Sequence, residues 1–314
     1  MINPKRSIFV SINDLGAIDL SKLAESMTRF QFTECKPEEE ESWGFTPAED
    51  WIEGQEILYQ ADQFALVTLR YDRKVPKKSR LSRLWRAACE KKKKELGAAL
   101  DKVQREEVRE QVKKSLLPET NPSETIVQAI VVRECWLVVL TSNYADADLM
   151  VEKLNRALEP QEKRISWVST SVKPELSETL TAMLMKPEIA EAAGYYVGSS
   201  MRLEKEKSGK ANLRDQEADT AEVREHLHAG KEAHALQVIQ KDSDPEIKFV
   251  ITNKRALTQI DMKNVLKRQA DEELGESQDA DAYKQGMFVI ACKALLELWS
   301  SVETLPTDPA EIMD

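Results

Sequence analysis

PKKSRLSRLWRAACEKKKKELGAALDKVQREEVREQVKKSLLP, from Pro76 to Pro118, decides how the chain is laid out. Leu81, Leu84, Trp85 and Ala88 recur at helical spacing, and Leu96, Leu100, Val103, Val108 and Val112 continue it. Gly97 marks a break between two helices, and Pro118, with Pro122 close behind, stops the second. The stretch predicts a helical hairpin. Its apolar stripe is thin and its surface is charged, so the hairpin either projects or packs against another copy of itself.

Outward from the hairpin, the same kinds of element occur on both sides. Before it, Ser7–Ile12 alternates as a strand and Leu20–Phe30 has helical spacing. The acidic run from Pro37 reads as a loop ending in an aromatic turn, Trp43-Gly-Phe45. Gln55–Tyr59 and Phe64–Tyr71 read as a strand pair across Gln60–Gln63. After it, Thr125–Val132 and Cys135–Thr141 read as strands, Ala145–Leu158 as an amphipathic helix and Ile165–Ser169 as another strand. This outline suggests a structural duplication without residue identity.

From Val172 onward, Leu176–Met185 reads as helix, Gly194–Leu203 as strand-like, and Ala218–Ala229 as a helix stopped by Gly230. Ala235–Gln240, Ile247–Thr252 and Leu257–Met262 read as short strands, and Tyr283–Val302 as a closing amphipathic helix. Leu305–Asp314, with Pro306 and Pro309, is expected to be a frayed tail. Strands and helices mix without regular βα alternation, so the expected class is α+β. The expected divisions are residues 1–75 and 123–171 as two similar α/β subdomains of a central region, 76–122 as the projecting hairpin, and 172–314 as a C-terminal α+β base.

The 314 residues suffice for several small domains, and 32% of them are charged. The longest apolar runs, such as Ile126–Val132 and Trp136–Leu140, fall far short of the roughly 18 to 20 residues a membrane span requires. The N-terminus has no apolar leader core. Four cysteines without a CxxC spacing read as reduced thiols. Together these features predict a cytoplasmic protein without a membrane partner.

The net charge is −10, but it is unevenly spread. From Arg70 to Lys114 there are 17 Lys/Arg against 7 Asp/Glu, a local +10 that leaves −20 on the remainder. Because charges act over about 8 Å at physiological salt, an acidic chain can still present a polyanion-facing surface. A solvated face of charged helices is the plainer reading of the same residues.

Chemistry-bearing motifs are scarce. Neither GxGxxG, GxxxxGK[ST] nor GxSxG occurs, so no nucleotide cofactor or nucleophile elbow is expected. His226 and His228 lie two apart on a helix and face different ways, while His234 follows the Gly230 stop; no metal site is expected. Glu246-Ile-Lys248, with Asp242, Asp244 or Asp219, has the acidic-x-Lys spacing of a metal-dependent nuclease, but Glu204-Lys-Glu-Lys207 shows how freely that spacing arises here. What remains is electrostatic: Lys77, Lys78, Arg80, Arg83, Arg86 and Lys91–Lys94 suit phosphate contacts, and no base-reading motif accompanies them.

Several stretches, in order, resemble the RdgC family of recombination-associated proteins. They are Phe30-Gln-Phe32…Cys35 followed by Trp43-Gly-Phe45, the hairpin ending Ser115-Leu-Leu-Pro118, and His226-Leu-His-Ala-Gly-Lys231 followed by Ile247-Lys-Phe-Val-Ile251, then the closing helix. The resemblance covers residues 5 to 303. It implies a ring-shaped homodimer with two-fold contacts at hairpin tips and bases. Duplex DNA would pass through a basic hole, hindering a RecA-type recombinase, and the protein would be nucleoid-associated. Arg214-Asp-Gln216-Glu217 stands where the family carries a Lys-Lys-Gln-Asp kind of stretch, so one cation is replaced by an acid. Lys231 matches. Leu257-Thr-Gln-Ile-Asp-Met262 lacks the cations of the family's basic strand, with Lys254 and Arg255 just upstream as substitutes, and Glu119-Thr-Asn-Pro lacks the tip aromatic. The expected function is sequence-independent duplex binding without catalysis, using Arg214, Gln216, Lys231, Lys254, Arg255, Lys77, Lys78 and Arg80. The alternatives are a metal-dependent exonuclease and a protein-interaction scaffold whose DNA affinity has decayed.

Overall fold

A computed structural model describes residues 4–11, 18–48, 56–132, 136–165, 175–205, 209–275 and 279–313. In chain order the elements are β1 (Arg6–Ser11), α1 (Leu20–Arg29), β2 (Glu41–Thr46), β3 (Leu58–Ala61), β4 (Phe64–Arg73), α2 (Lys78–Leu96), α3 (Lys102–Leu116), β5 (Ser123–Val132), β6 (Trp136–Val139) and α4 (Tyr144–Leu158). Then follow α5 (Ser177–Met185), α6 (Pro187–Ala192), β7 (Tyr195–Lys205), β8 (Gly209–Leu213), α7 (Ala221–His228), β9 (Glu232–Gln240), β10 (Lys248–Thr252), β11 (Leu257–Asp261), α8 (Lys263–Glu273) and α9 (Ala280–Glu303). The class is α+β, with a large antiparallel sheet. The chain forms two units, one of residues 1–26, 47–67 and 127–314, the other of residues 27–46 and 68–126.

In the larger unit the strand order is β4-β5-β6-β1-β11-β10-β9-β7-β8, with β3 paired to β4. Antiparallel registers include Ile8↔Val139 between β1 and β6, Arg6↔Thr258 between β1 and β11, and Glu204↔Lys210 between β7 and β8. The β3–β4 hairpin turns on Asp62 and Gln63, with Asp62 at φ 55° giving the left-handed backbone that such two-residue turns require. It is a tighter turn than the four residues the sequence suggested. The far end of the sheet alternates with period two, Met201, Leu203, Ala211, Leu213, Phe249 and Ile251 being buried. They share one core with Phe288, Leu295, Leu298 and Trp299 of α9 and with Leu180 and Met183 of α5. Phe288 meets Tyr59 and Phe64 edge-on at 5.2 and 6.4 Å between ring centres.

The tail reading does not hold. Leu305 is buried, Thr179 Oγ1 donates to the Pro306 and Thr307 carbonyls at 2.7 and 3.0 Å, and Pro309–Ile312 forms a short 3₁₀ helix. Proline at the first turn of that helix starts it rather than breaking it.

In the smaller unit, α2 and α3 are the predicted hairpin, with the break at Gly97 (φ 66°). Asp101 caps α3 by accepting from the Gln104 amide, while the Gln104 side chain accepts from the Asp101 amide. Trp85 Nε1 donates to the Arg105 carbonyl at 3.0 Å, tying the two helices together. None of the 19 residues of α2 is buried. The acidic run was expected to be a loop throughout, but its end is strand β2, paired with the second half of β4 through Trp43↔Tyr71 and Phe45↔Leu69. Gly44 makes this possible, since a Cβ there would lie 2.3 Å from Phe32 Cα. The expected strand at Ile165–Ser169 lies, apart from Ile165, outside the described residues, as do Gln55 and Cys135.

Candidate nucleic-acid interface

Because strands alternate, the face of β7 to β11 opposite the core carries what the core rejects. Ser200, Arg202 and Glu204 project from β7, and Lys210 and Asn212 from β8, with Arg214 just beyond it. His234 lies on β9, Thr252 on β10, Asn253 and Lys254 in the turn that follows, and Thr258 on β11. They line an open groove of about 600 Å³ together with Ser142, Tyr144 and Glu175. Among the described residues its charged lining is four cations, Arg202, Lys210, Arg214 and Lys254, against two carboxylates, Glu175 and Glu204. An acidic molecule thus presents a locally positive concave wall.

The groove is held by specific contacts. Asn253 is buried; its backbone amide donates to the His234 carbonyl at 2.9 Å and its side-chain amide to Glu175 at 2.7 Å. Tyr144 donates its hydroxyl to the Lys254 carbonyl at 3.0 Å, and the Lys254 ammonium stands 5.9 Å from the same ring. Glu204 Oε1 lies 3.1 Å from Arg202 Nε and 3.0 Å from Lys210 Nζ, and its Oε2 lies 3.7 Å from His234 Nδ1. Burial alone would push the Glu204 carboxyl up, but the Lys210 ammonium and the charges of Arg202 and His234 outweigh it and hold the group below the ordinary carboxylate range.

Of the residues singled out from sequence, Arg214 and Lys254 line the groove, both exposed. Arg214 makes no ion pair among the described residues. Gln216 follows Arg214, its amide donating to the Ser199 carbonyl. Lys231, half-buried, precedes β9 and is not part of the lining. Arg255 is engaged elsewhere: its guanidinium donates to the carbonyls of Val302, Glu303 and Leu305 at 2.9 to 3.3 Å, satisfying the C-terminus of α9. Lys77, Lys78 and Arg80 belong to the other unit, at the exposed start of α2, where Arg80 pairs with Glu119. Arg202, Lys210, Tyr144 and His234 were not anticipated for this role. The signal for the first two was present in the period-two pattern of Arg202-Leu-Glu204 and Lys210-Ala-Asn212-Leu-Arg214.

The acidic-x-Lys residues form local pairs, Glu246 with Lys248 at 2.9 Å and Asp244 with Arg268 at 3.4 Å. Among the described residues no cluster of three or more His, Cys, Asp or Glu has the arrangement of a metal site. Nor is any described helix long and apolar enough to cross a membrane.

Residues 7–305 match the family model described as "Putative exonuclease, RdgC". The chain belongs to the RdgC family. Similar RdgC relatives include the recombination-associated protein RdgC of Shewanella loihica, 21% identical over 297 residues, covering 91% of this chain and 94% of the relative. The protein of the same name from Pseudoalteromonas translucida is 23% identical over 274 residues, covering 85% of each. At this identity most RdgC side chains differ, so the match fixes the family and leaves the groove to be judged by its own chemistry. Lys231, the RdgC-like cation after Ala-Gly, sits beyond the C-terminus of α7, where Gly230 takes φ 76° and Lys205 Nζ donates to the Ala229 carbonyl at 2.7 Å.

Proposed function

We propose that the protein binds double-stranded DNA through its phosphates, without sequence preference and without catalysis, and modulates homologous recombination by limiting a recombinase's access to the duplex. The observation that carries this reading is the groove over β7 to β11, where Arg202, Lys210, Arg214 and Lys254 outnumber Glu175 and Glu204. Phosphate contacts need cations and hydroxyls on a shaped surface, which this wall supplies with Ser142, Ser200, Thr252 and Thr258. The relatives' names tie them to recombination. The architecture implied by the family is a ring-like homodimer, residues 1–75 and 123–171 forming its centre, 76–122 its tip and 172–314 its base. The half-buried stripe of Leu81, Leu84, Trp85 and Ala88 on α2 suits contact with a second copy.

The test is a binding titration on unrelated duplexes across a salt series. Arg214→Ala with Lys254→Ala is expected to weaken binding equally on every duplex and flatten the slope of log K against log salt by about two, near 0.9 per lost contact. A change in sequence preference, or no binding at low salt, overturns the reading. A second reading, exonuclease activity, is raised by the description of the family model. It requires linear duplex to be degraded with Mg²⁺ or Mn²⁺ and Glu246→Ala to abolish the loss.

A further inference from the structure

The most buried charge of the groove is an acid in the middle of its cations. Glu204 is 15% exposed, whereas the Arg202 and Lys210 side chains it contacts are 42% and 67% exposed. Its cross-strand partner on β8 is Lys210, and Arg202 lies two residues back on the same face of β7. On β9 its register partner is Glu232, which is exposed, and His234 lies near its other oxygen. One carboxylate oxygen thus faces two of the four groove cations.

These contacts are close but poorly directed. Arg202 Nε is buried and lacks an aligned acceptor although Glu204 Oε1 is only 3.1 Å away, and that oxygen likewise lacks an aligned donor. Between Arg202 and Glu204, proximity and charge hold the pair together without an aligned hydrogen bond. A buried guanidinium N–H without an aligned partner is costly and is better satisfied by an anion that reaches it along the donor direction. Phosphate oxygens, arriving from the open side of the groove, are such acceptors for Arg202, whose side chain is 42% exposed, once the guanidinium turns away from Glu204.

Resting on the duplex-binding reading, we infer that Glu204 is an internal competitor for the DNA phosphate, occupying Arg202 and Lys210 in the free protein and holding the affinity of the groove below what its cations permit. Binding then exchanges a carboxylate for a phosphate at these two side chains, while Arg214 and Lys254 engage without an exchange. Glu204 is a positioning residue that sets affinity; it makes no contact with DNA itself.

The test is fluorescence anisotropy of a labelled mixed-sequence duplex across a sodium chloride series, with thermal melts of every variant. Glu204→Gln is expected to bind on the order of tenfold tighter near 0.1 M salt and to steepen the salt slope by one to two, as up to two cations become free for phosphate. Adding Arg202→Ala and Lys210→Ala to Glu204→Gln is expected to erase the gain. Lys210→Ala alone is expected to weaken binding less than Arg214→Ala does, because its phosphate contact replaces an ion pair that the free protein already makes with Glu204. Equal or weaker binding by a folded Glu204→Gln overturns the inference, making Glu204 a brace for its neighbours. A Lys210→Ala loss as large as that of Arg214→Ala does the same, even where Glu204→Gln fails to fold. If neither wild type nor Glu204→Gln shifts the duplex, the binding reading itself falls, and the inference with it.

Discussion

The hairpin and the β7–β11 sheet carry their cations on opposite kinds of support. Along α2, Lys77 to Lys94 supply the densest basic stretch of the chain, yet none of the helix's 19 residues is buried. On the sheet the cations are few, but each alternates with a sealed core residue: Arg202 with Met201 and Leu203, Lys210 with Ala211, Arg214 with Leu213. Charge density attracts a polyanion, whereas a fixed wall decides where phosphates sit. Several hairpin charges are also paired locally, Lys92 with Glu107 at 3.8 Å, Lys113 with Glu40 at 2.6 Å, and Arg109 with Glu106 at 3.3 Å. A basic run in sequence is therefore a poor measure of a basic site in space.

The sharpest way to break this contrast is to remove one aromatic from the hairpin and one from the α9 side of the core on which the sheet packs. Phe288, fully buried beside Tyr59 and Phe64, is expected to cost about 3 to 5 kcal/mol on substitution by Ala. Trp85, half-buried, is expected to cost roughly half as much, including its bond to the Arg105 carbonyl. Urea unfolding followed by circular dichroism gives both values. Equal losses would mean that the hairpin is packed like a core, and the distinction between the two supports would vanish.

Arg255 probes the sheet side from another direction. Lys254 and Arg255 are adjacent cations in the β10–β11 turn, but they serve different ends. Arg255 adopts a left-handed backbone, φ 62°, and its guanidinium runs to the carbonyls ending α9, while Lys254 faces the groove. Burial lowers the Arg255 pKa, with the Glu303 charge opposing, as expected for a cation devoted to structure. Arg255→Ala is expected to lose about 1.5 to 3 kcal/mol of stability and leave the DNA salt slope unchanged. A flattened slope in a stable variant would return Arg255 to the interface.

These two residues show how much was legible in the sequence. Long periodic elements were: the hairpin broke at Gly97, and the closing helix expected over Tyr283–Val302 is α9, Ala280–Glu303. Elements whose burial depends on distant partners were not. The sequence reading had no helix at α8, which buries only Val265, Leu266 and Ala270 and gives a faint stripe among charges. β8 is as faint, since only Ala211 and Leu213 are buried in its five residues. β2 hid behind four consecutive glutamates, and its Gly44 read as a turn because nothing local reveals the Phe32 backbone lying against it. In the candidate site, cations in runs or in family-like stretches were noticed, while Arg202 and Lys210 were passed over because single charges alternating with apolar residues look like an ordinary solvated strand. Adjacent Lys254 and Arg255 could not be told apart, since a left-handed residue changes which way the chain faces and leaves no mark in composition.

The smallest expected effect isolates what holds the hairpin together. With only Val108 and Leu116 buried along α3, that helix depends on its ends more than a packed helix does. Asp101→Ala removes one half of the capping box and leaves the Gln104 amide without its acceptor, at a cost of about 1 kcal/mol. Because tertiary burial does little to hold the first turn, that loss is expected to appear locally, as faster amide hydrogen exchange over residues 102–107 with exchange in β7 and β9 unaltered. Thr220→Ala is the matched control on α7, whose N-cap bond to the Val223 amide is long at 3.5 Å but whose Val223 is buried, so fraying there should be slight. If both caps prove equally dispensable, α3 is held by burial after all, and the difference between a helix that only displays charge and a sheet that fixes it would have to be sought outside the hairpin's own packing.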